Sequence, residues 1–210
     1  MKVGVVGYQG DVEEHIEILH RLREEYKREV EPVLVKSVKS LYDVSALIIP
    51  GGESTTIYRL IREYQIYQNI VKRAIHGMPI MGTCAGLILL SKNPNDETVR
   101  GMGLLDIDIK RNAYGRQINS FQDQIRINNI GNFNAIFIRA PVIERVGDSV
   151  EVMATHNGNP VMVRSGLILG MTFHPELTGS TVIHDLFLSF IEGEGYISSG
   201  TRNWVVEGLI

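Results

Sequence analysis

Cysteine is almost missing from this chain: its 210 residues contain one thiol, Cys84, and one tryptophan, Trp204. A single cysteine forms no internal disulfide, and the six histidines are scattered, so no clustered ligand set for zinc is present and no metal or other cofactor is expected. Neither sign of charge dominates. With 21 basic and 24 acidic residues interspersed and a net charge of -3, the chain lacks the electrostatic footprint of a nucleic-acid or anionic-membrane binder. No apolar stretch approaches the roughly 18 residues of a membrane span. Repeats, low-complexity tracts and Pro/Gly/Ser-rich linkers are also missing, which argues for one well-buried domain. The start has Lys2, a short apolar run and then Asp11, Glu13 and Glu14, which fits neither a secretory nor a transit peptide. The expectation is a cytoplasmic protein whose thiol stays reduced.

What is present alternates between strand-like and helix-like segments. Residues 2–7 form a β-branched run ending at Gly7 and Gly10, and Val12, Ile16, Leu19 and Leu22 follow at helical spacing. Short apolar runs recur at 33–35, 46–49 and 79–81, each separated by enough chain for a crossover. This pattern predicts parallel strands with helices on both faces. The middle of the chain differs: Leu105, Ile107 and Ile109 alternate with polar residues, as do the pairs Ile125/Ile127, Ile136/Ile138, Val150/Val152 and Val161/Val163. These predict antiparallel or mixed strands, with His156-Asn157-Gly158-Asn159 as a turn. A further strand is expected over 167–173 and a closing helix over 181–191, capped near Ser180.

Two glycine turns invite nucleotide readings and fail them. Val5-Val6-Gly7-Tyr8-Gln9-Gly10 has valine where the dinucleotide fingerprint needs its first glycine, and Pro50-Gly51-Gly52-Glu53-Ser54 lacks the lysine of a phosphate-binding loop. The third is different. Gly82-Thr83-Cys84-Ala85-Gly86 lies between the buried run 78–81 and an apolar helical segment starting at Ala85, the Gly-x-nucleophile-x-Gly pattern of a nucleophile elbow with sulfur in place of a hydroxyl. A thiol attacks a carbonyl as thiolate, so it needs a base, a favourable field and donors for the oxyanion. The helix N-terminus favours negative charge at the elbow, the N–H of Ala85 is placed to donate, and the Gly51-Gly52 turn offers a second donor. For the base, Thr172-Phe173-His174-Pro175-Glu176 ends the last apolar strand. Proline holds His174 extended, so Glu176, two residues on, projects to the same side and orients the imidazole. His15, His20, His76 and His184 lie in or beside helical patterns and read as surface or packing residues.

Together, the cysteine elbow and His-Pro-Glu resemble the class I glutamine amidotransferases. Several further segments narrow the likeness to the glutaminase subunits of pyridoxal 5'-phosphate synthases: Gly7-Tyr8-Gln9-Gly10, Pro50-Gly51-Gly52-Glu53-Ser54-Thr55-Thr56, Arg111-Asn112-Ala113-Tyr114-Gly115-Arg116-Gln117, Phe137-Ile138-Arg139-Ala140-Pro141 and Phe173-His174-Pro175-Glu176-Leu177-Thr178. The resemblance implies a flavodoxin-like three-layer α/β/α sandwich, its central sheet mostly parallel with additional antiparallel strands. It implies a glutaminase domain over 1–192 and a C-terminal extension over 193–210. It assigns Cys84 as nucleophile, His174 as base, Glu176 as orienting carboxylate, Gly52 and Ala85 as the oxyanion hole, and Gly52, Glu53, Ser54, Arg111, Ile138 and Arg139 as glutamine-binding positions.

The chemistry of a free amino acid agrees in kind: its α-ammonium asks for a carboxylate such as Glu53 and its α-carboxylate for an arginine or backbone donors. Either arginine, Arg111 or Arg139, meets the second need. Tyr114, Arg116 and Gln117 read instead as interface residues. The implied substrate is L-glutamine, and the implied partner is a (β/α)8-barrel synthase subunit in a large hetero-oligomer that receives the ammonia. Tyr8 departs from the family, which commonly has leucine there. The tail, with Trp204, Val205, Val206, Leu209 and Ile210, offers apolar cover for this subunit or its partner. The rival readings are the glutaminase of another complex such as imidazole glycerol phosphate synthase, a DJ-1-like cysteine hydrolase, and a binding module that kept the fold without activity.

Overall fold

The computed structural model describes residues 1–110 and 120–191. The first half runs β1 (Lys2–Val6), α1 (Val12–Glu24), β2 (Glu31–Val35), α2 (Val38–Tyr42), β3 (Ala46–Ile49), α3 (Ser54–Glu63), α4 (Ile66–Ile75), β4 (Ile80–Thr83) and α5 (Ala85–Leu90). The second half is strand-rich: β5 (Ser91–Asn93), β6 (Leu105–Lys110), β7 (Ser120–Ile127), β8 (Gly131–Ile138), β9 (Val142–Val146), β10 (Glu151–His156), β11 (Asn159–Ser165) and β12 (Ile168–Met171). A 3-10 turn (Pro175–Leu177) and α6 (Val182–Ile191) follow.

Nine strands make one sheet in the order β2-β1-β3-β4-β12-β11-β10-β7-β8, and β5, β6 and β9 make a separate small one. From β2 to β12 the pairing is parallel; from β12 to β8 it is antiparallel. Side chains alternate across the pleat, so Val3, Val5, Ala46 and Ile48 enter one core while Val6, Leu47 and Ile49 enter the other. Leu19 and Leu22 of α1 and Phe187 of α6 close the first core. Ile57, Ile61 and Ile70 of α3 and α4 and Leu87 and Leu89 of α5 close the second. Burial on both faces explains why β3 and β4 are continuously apolar or small instead of alternating. The three-layer sandwich expected from the sequence is therefore present.

Three local features refine the sequence expectation. Residues 105–109 pair in the small sheet with β5 and β9, because alternation specifies which face is buried and not which strand is the partner. The crossover after β3 breaks into two helices at Gln65, whose φ of 60° ends α3 without a glycine to signal it. The strand expected over 167–173 stops at Met171, beyond which the chain shifts neighbours: the N–H of Thr172 donates to Val161 O and that of His174 to Ile136 O of β8. The predicted hairpin is where expected, with Asn157 at φ 50° and Gly158 at φ 81° between β10 and β11.

This order places β1 between β2 and β3, so successive crossovers leave β1 in opposite directions. The C-terminal ends of β1 and β3 flank this switch point, the place where open parallel sheets bind ligands. The loops after β1, β3, β4 and β12 all converge on that edge.

Candidate active site

Cys84 follows β4 directly and caps α5, with φ 47° and ψ -100°, a strained conformation for a residue carrying a Cβ. Its backbone is held on both sides: Cys84 N–H donates to Met171 O at 2.8 Å, and Cys84 O accepts from Ile88 N–H at 3.2 Å. The flanking glycines are required by contact. A Cβ on Gly86 would stand 2.1 Å from Ile49 O, and one on Gly82 would stand 2.7 Å from the carbonyl carbon of Gly86. The tight turn is thus built by backbone passing backbone. The thiol is 6% exposed and donates to Ile138 O at 3.7 Å.

His174, at the end of the chain's crossing from β12 to β8, is 3% exposed. Nδ1 of its ring lies 2.8 Å from Glu176 Oε1 and 3.0 Å from Asp11 Oδ2, so that N–H is shared by two carboxylates. Nε2 is buried without a hydrogen-bond partner. Burial opposes protonation of this imidazole, but Asp11, Cys84 and Glu176 outweigh it and raise its pKa well above the ordinary value. Glu176 itself is pushed upward by burial, an effect His174 partly offsets. The imidazole so held stands beside the elbow thiol, placed to pass a proton to a group bound there.

The loop after β3 packs against the ring. A Cβ on Gly51 would lie 2.3 Å from His174 Cε1 and 2.9 Å from Asp11 Oδ2, so only glycine fits against the imidazole here. This loop is also pinned to the one after β1: Asp11 N–H donates to Gly51 O at 3.1 Å, and Glu53 N–H donates to Gln9 Oε1 at 2.8 Å. Gly52 adopts φ 146° against Gln9 and Gly10, a region essentially reserved for glycine. Tyr8 leaves this contact intact by turning outward, where it stacks on Tyr64 with centroids 5.0 Å apart and its hydroxyl donates to Lys36 O.

The structure brings most of the predicted residues to this edge. Ala85 begins the helix behind the thiol, Gly52 and Glu53 are exposed on the loop after β3, and Ser54 is buried at the start of α3. The Glu53 carboxylate caps α3, accepting from Thr56 N–H at 2.9 Å and from the hydroxyls of Thr55 and Thr56. Ile138 contributes the carbonyl that meets the thiol, and Arg139, exposed with φ 45°, follows it at the end of β8. Arg111, Tyr114, Arg116 and Gln117 lie outside the described residues, as does the tail over 193–210.

Sequence reasoning overlooked Asp11 and gave His15 and His184 only packing or surface roles. Both histidines are fully buried, His15 against Glu176 and His184 against His15, while His20 and His76 stand on the surface as expected. Nothing in the sequence distinguishes Asp11 from an ordinary acidic residue ahead of a helix; its role follows from the loop geometry. Among the described residues, Asp11, His174 and Glu176 form the one grouping whose possible ligand atoms all lie within 4.8 Å of one another. Their shared atom is the Nδ1–H already held by both carboxylates, so the grouping serves to fix the charge and orientation of the imidazole.

A buried thiol on a strained elbow, an imidazole oriented by carboxylates and a glycine turn packed against that imidazole together describe acyl-transfer machinery. The profile of the SNO glutamine amidotransferase family matches residues 5–193. The chain is 58% identical over 200 residues to the pyridoxal 5'-phosphate synthase subunit PdxT of Thermoplasma acidophilum, covering 95% of this chain and 98% of that one. It is 47% identical over 194 residues to the protein of the same description from Thermotoga neapolitana, covering 91% and 100%. A solved glutamine amidotransferase superposes with a TM-score of 0.82 at 43% identity over 90% of this chain and 98% of that one. PurLQS of Thermotoga maritima, at 20% identity and a TM-score of 0.63 over 91% and 97% of the two chains, shares the fold alone. The chain belongs to the SNO glutamine amidotransferase family.

Proposed function

We propose that the chain is the glutaminase subunit of a pyridoxal 5'-phosphate synthase, releasing ammonia from L-glutamine with Cys84, His174 and Glu176. The observation that carries this reading is the arrangement of His174: one ring nitrogen is committed to carboxylates, while the other is unpartnered beside the elbow thiol. In the reaction Cys84 Sγ, as thiolate, forms a bond to the side-chain amide carbon, and the carbonyl electrons move onto oxygen. The N–H groups of Ala85 and Gly52 receive that oxyanion. Collapse breaks the C–N bond, the imidazolium of His174 gives its Nε2 proton to the leaving nitrogen, and ammonia departs. Water then attacks the γ-glutamyl thioester with His174 as base, a second oxyanion forms and collapses, and glutamate leaves as the thiol is restored.

Glutamine is held by its amino-acid end. Glu53, with Ser54 and the backbone of Ile138, addresses the α-ammonium side, and Arg139 or Arg111 the α-carboxylate. Ammonia freed into bulk water would be protonated and lost, so its use requires a docked synthase subunit that takes it under cover. The resemblance makes that partner a (β/α)8-barrel in a hetero-oligomer, with the work done in the cytoplasm. The Gly51-Gly52 peptide, whose Gly51 carbonyl is tied to Asp11 N–H, is the natural switch: docking that reorients it would complete the oxyanion hole. Ammonia release from glutamine is the test, measured with and without the synthase subunit. The reading expects strong stimulation by the partner and loss of release in Cys84→Ala with docking retained; undiminished release by Cys84→Ala would sink it.

A further inference from the structure

Glu176 uses one carboxylate oxygen on His174; the other, Oε2, is buried without a hydrogen-bond partner. An ionised carboxylate left half-satisfied in the core is costly, and burial already pushes Glu176 toward its neutral form. Nε2 of His15 on α1 stands 3.6 Å from that oxygen. The same nitrogen lies 3.3 Å from the hydroxyl of Thr83, the residue preceding the nucleophile. On its far side, His15 Nδ1 is 2.8 Å from Nε2 of His184 on α6, and Nδ1 of His184 is buried with no partner. Both rings are fully buried.

We propose that His15, held in one tautomer by His184, is a positioning residue that presents an N–H to Glu176 and keeps that carboxylate ionised and aimed at His174. The inference rests on the triad reading above. The tautomer follows from counting donors. Burial, with His184 and His174 nearby, lowers the pKa of His15, and burial pushes His184 down to about 3, so each ring is neutral and carries one proton. If His184 donates from Nε2, His15 accepts at Nδ1 and carries its proton on Nε2, facing Glu176 and Thr83. The unpartnered Nδ1 of His184 is then only a lone pair. The opposite assignment would aim a lone pair of His15 at a carboxylate and leave a buried N–H of His184 unsatisfied, which is the costlier arrangement.

At 3.6 Å the contact to Oε2 is an ion–dipole approach and not yet a hydrogen bond. Resting active sites often hold such contacts long and tighten them as charge develops, here when His174 becomes imidazolium with Glu176 as its counter-ion. The titratable groups facing this chain of rings are His174 and Glu176 from the segment after β12, Asp11 from the loop before α1, Cys84 from the elbow and His184 from α6. Removing the His15 donor raises the pKa of Glu176, so activity on the acid side falls away at a higher pH.

The experiment measures glutaminase kcat and KM against pH in the complex with the synthase, for the unaltered chain, His15→Phe and His15→Gln. Phenylalanine keeps the ring volume without the donor, and glutamine restores an N–H near the position of Nε2. His15→Phe is expected to lower kcat by about tenfold, the scale at which groups behind a reactive site act. It is also expected to move the acid limb upward by about one pH unit, the loss of one hydrogen bond to a charged group, with KM for glutamine unchanged. His15→Gln should keep the original limb. Equal slowing in both variants with an unmoved limb indicates packing alone and overturns the proposal, as does full activity in His15→Phe. Nitrogen-15 NMR of histidine-labelled unaltered chain decides the matter even where a variant does not fold: protons on Nε2 of both His15 and His184 are expected, and a proton on Nδ1 of His15 contradicts it. Absence of glutaminase activity in the unaltered complex would instead count against the triad reading, leaving the tautomer result to stand by itself.

Discussion

Cys84, His174 and Glu176 are 6%, 3% and 5% exposed, whereas Gly52, Glu53 and Arg139 stand in solvent. The first set hangs on the ends of parallel strands buried on both faces, locked by backbone contacts such as Cys84 N–H to Met171 O. The second sits on the loop after β3 and at the tip of β8 in the antiparallel flank. Their different settings suit the different tasks proposed for them. Groups that stabilise developing charge act most strongly where water is excluded and reorientation is small, while groups that admit and release a zwitterionic amino acid must be reachable from solvent.

Perturbing each side separately sharpens this contrast. The largest effect is expected from Gly51→Ala, whose Cβ would occupy space 2.3 Å from His174 Cε1. Displacing the base by a fraction of an ångström to an ångström should cost about 100-fold in kcat, while purified protein remains folded by circular dichroism. A smaller and different effect is expected on the exposed side. Arg139→Ala should raise KM for glutamine by about tenfold, the loss of one charge-assisted hydrogen bond, and leave the rate of Cys84 alkylation by iodoacetamide unchanged. A fall in kcat with KM unchanged would erase the division between the two sides.

A third effect is on stability and emerges only as the pH is lowered. His15 and His184 are buried neutral, with pKa values lowered below that of an exposed imidazole. Above about pH 6.5 neither the folded nor the unfolded chain protonates them. Below it the unfolded chain binds up to two more protons, so urea-unfolding stability should fall by roughly 2.7 kcal/mol per pH unit from this pair. His184→Leu should reduce that slope to about half. His174 has the opposite sign: its raised pKa stabilises the fold fully below about pH 6.5 and loses effect only as pH rises toward its folded value.

The sequence was most readable where backbone requirements choose the residue. The elbow glycines, the His-Pro-Glu turn, the alternating flank strands and the 156–159 hairpin each carry a conformational or periodic constraint that shows in residue type. It was least readable where geometry depends on distant pairing. Asp11 reaches His174 because two loops from different crossovers meet at the sheet's switch point, and His15 meets His184 because α1 and α6 share one face. Neither contact leaves a local pattern. The small sheet was likewise hidden, since the alternation of 105–109 suits any strand with one buried face.

The most direct measurement treats the chain, docked to its synthase, with an electrophilic analogue of glutamine and locates the adduct by peptide mass spectrometry. A single adduct on the peptide containing Cys84, blocked by excess glutamine and missing in Cys84→Ala, is the predicted result. Labelling at another residue, or no protection by glutamine, would contradict the assignment of Cys84 as the nucleophile of a glutaminase.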